Sequence, residues 1–170
     1  MAQKLRGENQ DNFLLQLISQ EKIDYKVSIP LYYLTSEKDN YKILPIYDSG
    51  LSYESHFNFG KSLRSAIFQS SKKIAIIASG ELSNVFDKNS VTIKQKAKNF
   101  DKKIIQYLEN KKISHILDLD QEPNEEVYNC DLKSLLILLG IIDDLNYQSK
   151  VLSYEASFNI GFLSMEFYLN

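Results

Sequence analysis

The chain has 170 residues, 44% of them hydrophobic and 25% charged, enough for one core that buries about two thirds of the unfolded surface. Its net charge of -2, with lysines spread along the chain, leaves no footprint for a phosphate backbone, so nucleic acid is not an expected partner. No apolar run reaches the length of a spanning helix and the opening MAQKLRGENQDN is polar, so neither a membrane nor a secretory leader is expected, and the single cysteine, Cys130, fits a cytoplasmic setting.

In chain order, Phe13, Leu14, Leu17 and Ile18 share one face and predict a helix over 8–21. Pro30 interrupts the next segment, and YKILPIYD (41–48) reads as a short strand bent at Pro45, near a sheet edge. Phe57, Leu63, Ala66 and Ile67 recur at helical intervals within 52–70. Lys72 and Lys73 then introduce IAIIAS (74–79), a β-branched run without alternation, as expected of a central strand buried on both faces. Ala97, Phe100, Ile104, Ile105 and Leu108 form the apolar stripe of a helix over 93–112. Asp131 caps a helix over 131–143 whose apolarity on all sides puts it in the core, and strands near 147–155 and 160–168 form an antiparallel pair joined near Asn159. This order predicts a single α/β domain over 1–170, a central, mostly parallel or mixed sheet with helices on both faces.

Ligands of open α/β sheets sit outside the carboxyl ends of the strands, which nominates the loop after IAIIA: Ser79, Gly80, Glu81, Ser83 and Asn84. A purely structural turn accounts for the same residues, with Gly80 supplying backbone freedom and Ser83 or Asn84 capping backbone groups. His56 and His115 lack metal-ligand spacing and read as packing or surface residues. No histidine stands ready to activate Ser79 or Ser83 for hydrolysis. Tyr25, Tyr32, Tyr33, Tyr41, Tyr47 and Tyr53 cluster early, supplying either packing area or a partner surface.

ASGELSN (78–84) resembles the A-S-G-D-L-S-H signature of the class III extradiol dioxygenase catalytic-subunit (LigB-type) family, which includes Memo-like proteins and the domain of the AmmeMemoRadiSam system. Further matches occur in order: RGEN (6–9), DYKVSIPLYYL (24–34) similar to D-H-G-x-x-x-P-L-x-x-L, FD (100–101), NCDLKSLLILLG (129–140) similar to C-G-x-x-S-x-x-x-x-L-G, and LSYEASFNIGF (152–162) similar to L-S-Y-E-x-x-x-x-V-G-Y. The resemblance implies the LigB/Memo-like fold without the family's N-terminal portion, and a pocket where Tyr25, Ser79, Gly80, Glu81, Asn84 and Cys130 converge.

It also implies a nonheme Fe(II) held by histidines and a carboxylate or cysteine, with a further histidine as acid/base. Here Tyr25 stands at a ligand position, Asn84 at the acid/base position, and Cys130 where Memo-like members place a ligating cysteine; Cys130 reads equally as a small buried hydrophobe. The expectation is a degenerate, non-catalytic domain with no catalytic or metal residue and no cofactor, working as a homo-oligomer or with a partner subunit, in which Glu81 holds the loop. The alternative is an Fe(II)-dependent oxidoreductase completed by ligands from another chain.

Overall fold

A computed structural model describes Gln16 and residues 22–35, 40–85, 89–121, 128–129 and 132–170. In these the chain forms α1 (Tyr25–Thr35), α2 (Tyr53–Phe68), β1 (Ser83–Asn84), α3 (Val91–Glu109), α4 (Ile113–Leu117) with a 3-10 turn over Asp118–Gln121, β2 (Tyr128–Asn129), α5 (Leu132–Ile142), β3 (Tyr147–Ser157) and β4 (Ile160–Leu169). The helix expected over 8–21 and the Asp131 cap lie outside the described residues.

The long helices begin where capping side chains allow. Ser52 Oγ accepts from the Ser55 N–H at 3.2 Å and Asp120 Oδ2 from the Tyr53 N–H at 3.0 Å, satisfying two of the free amides that open α2. Ser90 does the same for α3 through the Ile93 N–H at 3.2 Å. α3 stops because Lys111 turns left-handed (φ 56°), which aims the Lys112 N–H at the Tyr107 carbonyl (2.8 Å) and the Lys111 N–H at that of Leu108 (3.3 Å).

The core is built by α2, α3, α5 and the last two strands, around the fully buried Leu63, Ile104, Leu108, Ile116, Leu132, Leu136 and Leu139. As its composition requires, α5 is buried on nearly every side. It meets α2 backbone to backbone: a Cβ on Gly140 would stand 2.1 Å from the Phe57 carbonyl oxygen, and one on Gly60 2.1 Å from that of Ile137. Only glycine permits that approach.

The sheet has four strands in the order β2-β1-β4-β3, every described pair antiparallel. The β3–β4 hairpin runs from Tyr147↔Leu169 to Ser157↔Ile160 and closes through Phe158 and Asn159, at φ 54° and 66°, the two positive angles of a tight hairpin turn.

The central parallel sheet is not found among the described ladders. Residues 41–48 and 74–79 have no strand pairing and are mostly exposed, although IAIIAS has the composition of a buried strand. Propensity favours an extended backbone, but a strand needs a neighbour within ladder distance, and no described segment supplies one. Run, helix and run still keep the connectivity of a β-α-β unit, and their carboxyl ends meet: Lys133 Nζ donates to the Ser49 carbonyl (2.8 Å) and Ser134 Oγ to that of Ser79 (3.0 Å), adjacent residues opening α5. Pro30 does not break the chain where expected; it lies inside α1.

Candidate functional site

Ser79 is a fastening point. Proline has no N–H, so Pro30 deprives the Lys26 carbonyl, one helical turn earlier, of its usual donor. Ser79 Oγ donates to that carbonyl instead, while the Ser79 carbonyl receives Ser134 Oγ at 3.0 Å. The side chain at the end of the apolar run thus ties α1 to the start of α5. Gly80 does not use the left-handed region, so its expected conformational role is not realised.

Beyond Gly80 the chain is sewn into the sheet. The Leu82 N–H donates to the Gly161 carbonyl (2.9 Å), the Val85 N–H to that of Asn159 (3.0 Å), and Ser83 stands in register with Asn129. Asn129 immediately precedes Cys130, which itself lies outside the described residues. Glu81 holds the loop through a side chain: Asn84 Nδ2 donates to Glu81 Oε2 at 3.2 Å. Tyr25 opens α1 with its side chain 59% exposed, next to the carbonyl that Ser79 holds. The structure therefore brings together α1's first turn, Ser79, the Glu81–Asn84 pair and the chain leading to Cys130.

The most constrained polar group nearby is Asp101, on α3 and fully buried. Its Oδ2 accepts from Ser83 Oγ and from the Tyr154 hydroxyl, each at 2.8 Å, and its Oδ1 has no hydrogen-bond partner among the described residues. Gly161 lies directly against it, since a Cβ there would stand 2.1 Å from Oδ2. Burial pushes the Asp101 carboxyl above its ordinary range, with the Tyr154 and Ser83 hydroxyls pulling it back. The Tyr154 hydroxyl is itself pushed up by burial and by donating to that carboxylate. Sequence reasoning matched Asp101 only as part of FD (100–101) and gave it no role in the site, yet a signal was present: Asp101 interrupts the apolar stripe of α3, four residues after Ala97 and three before Ile104.

Residues 2–164 match the family described as the catalytic LigB subunit of aromatic ring-opening dioxygenase. The chain belongs to the LigB family. Protein CA_C1420 of Clostridium acetobutylicum is 25% identical to this LigB-family chain over 141 residues, which are 82% of the chain and 30% of that protein. The chain thus spans less than a third of this relative's length. No solved structure matches. No described helix is long and apolar enough to cross a membrane. Four positions that carry the LigB resemblance, Ser83, Asp101, Tyr154 and Gly161, meet in the knot around the buried carboxylate.

The described donors of this LigB-family chain do not fit an iron centre, which requires imidazole and carboxylate on one face of the metal. Asn84 offers a neutral amide already bonded to Glu81. His56 is buried with both nitrogens committed: Nδ1 donates to the Ser52 carbonyl (2.7 Å) and Nε2 accepts from the Ser49 N–H (3.1 Å), which fixes the neutral tautomer. His115 is exposed against the Tyr107 ring, 5.0 Å between centroids. Among the described residues, no three His, Cys, Asp or Glu side chains gather as a metal site would need.

Proposed function

We propose that this chain is a LigB-family domain that runs no ring-opening chemistry with its own residues and serves as a structural or binding subunit. The observation that carries the reading is the commitment of the loop's polar groups to the frame. Ser79 holds α1 and α5, Ser83 holds the buried Asp101, and Asn84 holds Glu81. A loop that positions a substrate keeps donors and acceptors for it; here they face the protein. The residue at the acid/base position is an amide, which exchanges no proton near neutral pH. A binding role draws further support from the tyrosines: Tyr32 and Tyr33 are 71% and 75% exposed, and Tyr25, Tyr41 and Tyr47 are exposed as well. Rings that offer large area and one polar tip suit a partner surface.

One observation favours a second reading. The chain spans only 30% of its clostridial relative, and on this reading the ligands of an Fe(II) centre that these residues lack are supplied from outside them.

Anaerobic calorimetric titration separates the two. Neither the wild type nor Tyr25→His/Asn84→His is expected to bind Fe(II) tightly alone, because a facial site needs three oriented protein ligands. One-to-one submicromolar iron binding by these 170 residues overturns the first reading. Stoichiometric iron only when a copurifying partner is present establishes the second.

A further inference from the structure

The tip of the β3–β4 hairpin and the start of α3 share one end of the molecule. The hairpin runs back along α3: Ser149 Oγ donates to the Leu108 carbonyl (3.3 Å) near the helix's end, and the Tyr154 hydroxyl to Asp101 Oδ2 (2.8 Å) near its middle. At the turn, the Val85 N–H donates to the Asn159 carbonyl (3.0 Å), while the Val85 side chain packs on Ile93 and Ala97 in the opening turns of α3. The two most exposed large apolar side chains of the described residues stand at this end, Phe158 at 90% and Val91 at 81%.

Neither position calls for the residue it holds. Phe158 has φ 54°, an angle that strains a bulky side chain and that tight hairpin turns give to Asn or Gly. A ring held there at a cost to the fold points to a use outside it. Val91 opens α3, where proline or an acidic residue is favoured, and the first turn carries no acid at all. Lys94, Lys98 and Lys102 follow Val91 by three, seven and eleven residues, the intervals that line up along one helix face. A carboxylate joins this row at Glu109, in the last turn and at the far end of α3 from Phe158. At the tip, the Glu155 carboxylate receives the Ser157 hydroxyl.

Shape and charge together select the occupant. A second copy docked tip to tip would cover these two apolar side chains on each side, far short of the roughly 800 Å² per partner that a stable dimer buries. A bilayer interface accepts a convex apolar anchor without a matching socket, and anionic headgroups complement the lysine row. We propose that this end docks the chain on the surface of an anionic lipid bilayer, with Phe158 and Val91 at the headgroup–acyl boundary and Lys94, Lys98 and Lys102 against the headgroups. The proposal goes beyond the reading above, requires no spanning helix, and is read out without metal or activity.

Cosedimentation of the purified full chain with vesicles of phosphatidylcholine and phosphatidylglycerol, against vesicles of phosphatidylcholine alone, measures the docking. The wild type is expected to bind the anionic vesicles, more weakly as salt rises. Phe158→Asn should weaken that binding about five- to tenfold with an unchanged circular-dichroism spectrum, since asparagine suits the turn. Lys98→Gln/Lys102→Gln should weaken it about tenfold or more and flatten its salt dependence, while Lys150→Gln on β3 leaves it intact. Phe158→Trp supplies the chain's sole tryptophan, whose emission should shift to the blue on anionic vesicles. A wild type that stays in the supernatant overturns the proposal, as do binding that survives Phe158→Asn and equal binding to phosphatidylcholine alone. Light scattering of the same samples gives the remaining outcome: self-association that Phe158→Asn abolishes would assign the tip to a second copy and overturn the proposal as well.

Discussion

Two stretches of this molecule look alike as strands and meet opposite fates. The IAIIAS run is rich in β-branched residues and the β3–β4 hairpin in aromatic ones, both strand-forming classes, but the hairpin forms a ladder from Tyr147↔Leu169 to Ser157↔Ile160 while the run has none. The hairpin brings its own partner, a two-residue turn away, and packs on α3, so closing it costs little chain entropy. The run depends on a neighbour remote in sequence. Strand propensity is local, whereas a strand is a relation between two segments.

The comparison breaks most severely if the framework under both stretches is disturbed. Gly140→Ala forces a methyl into the Phe57 carbonyl and is expected to cost about 3 kcal/mol or more, seen as a large fall in the thermal midpoint. A loss under about 1 kcal/mol would mean that α2 and α5 separate easily.

The next effect belongs to the hairpin's attachment. Asp101→Ala strands the buried Ser83 hydroxyl and the half-buried Tyr154 hydroxyl, and about 2–3 kcal/mol should be lost in chemical denaturation. Asp101→Asn keeps an acceptor and removes the titration. Because burial raises the folded-state carboxyl above its ordinary value of 3.8, its proton-linked stability is complete below that pH and is lost as pH rises through the folded value. The wild type minus Asp101→Asn stability difference should therefore be most favourable to the wild type in acid and decline from about pH 4 upward. A difference that grows with pH would mean the carboxyl is held ionised.

Ser79→Ala tests the other stretch. It leaves the Lys26 carbonyl without the donor that Pro30 cannot replace, costing about 1 kcal/mol, and hydrogen exchange should quicken in α1 while the hairpin stays unchanged. Phe158→Asn gives the smallest change, in the opposite direction: Phe158 is 90% exposed at φ 54°, an angle asparagine adopts more readily, so about 0.5 kcal/mol should be gained.

The elements legible in the sequence are those whose determinants are local. The apolar stripes of α2 and α3, the all-round apolarity of α5 and the turn at Phe158–Asn159 were each written within about twenty residues, and all four formed close to their expected bounds. The parallel sheet was not legible, because nothing in IAIIAS says which segment lies beside it. The partners of the candidate loop at the end of that run were not legible either, since Lys26, Asp101 and Ser134 are remote in sequence from Ser79 and Ser83. Pro30 misled for a related reason. Its disruption of a helix can be repaired by one hydroxyl supplied from elsewhere.

The knot at Asp101 has a consequence for how signatures survive. Ser83 and Tyr154 donate to one buried carboxylate and Gly161 packs against it, so replacing any of them strains or empties a site that every folded copy must build. Purifying selection on abundance alone is enough to hold these letters in place, whether or not a reaction is ever run. On the reading proposed above, a lineage that gave up its chemistry would go on spelling much of its ancestral signature, with change confined to side chains outside the knot.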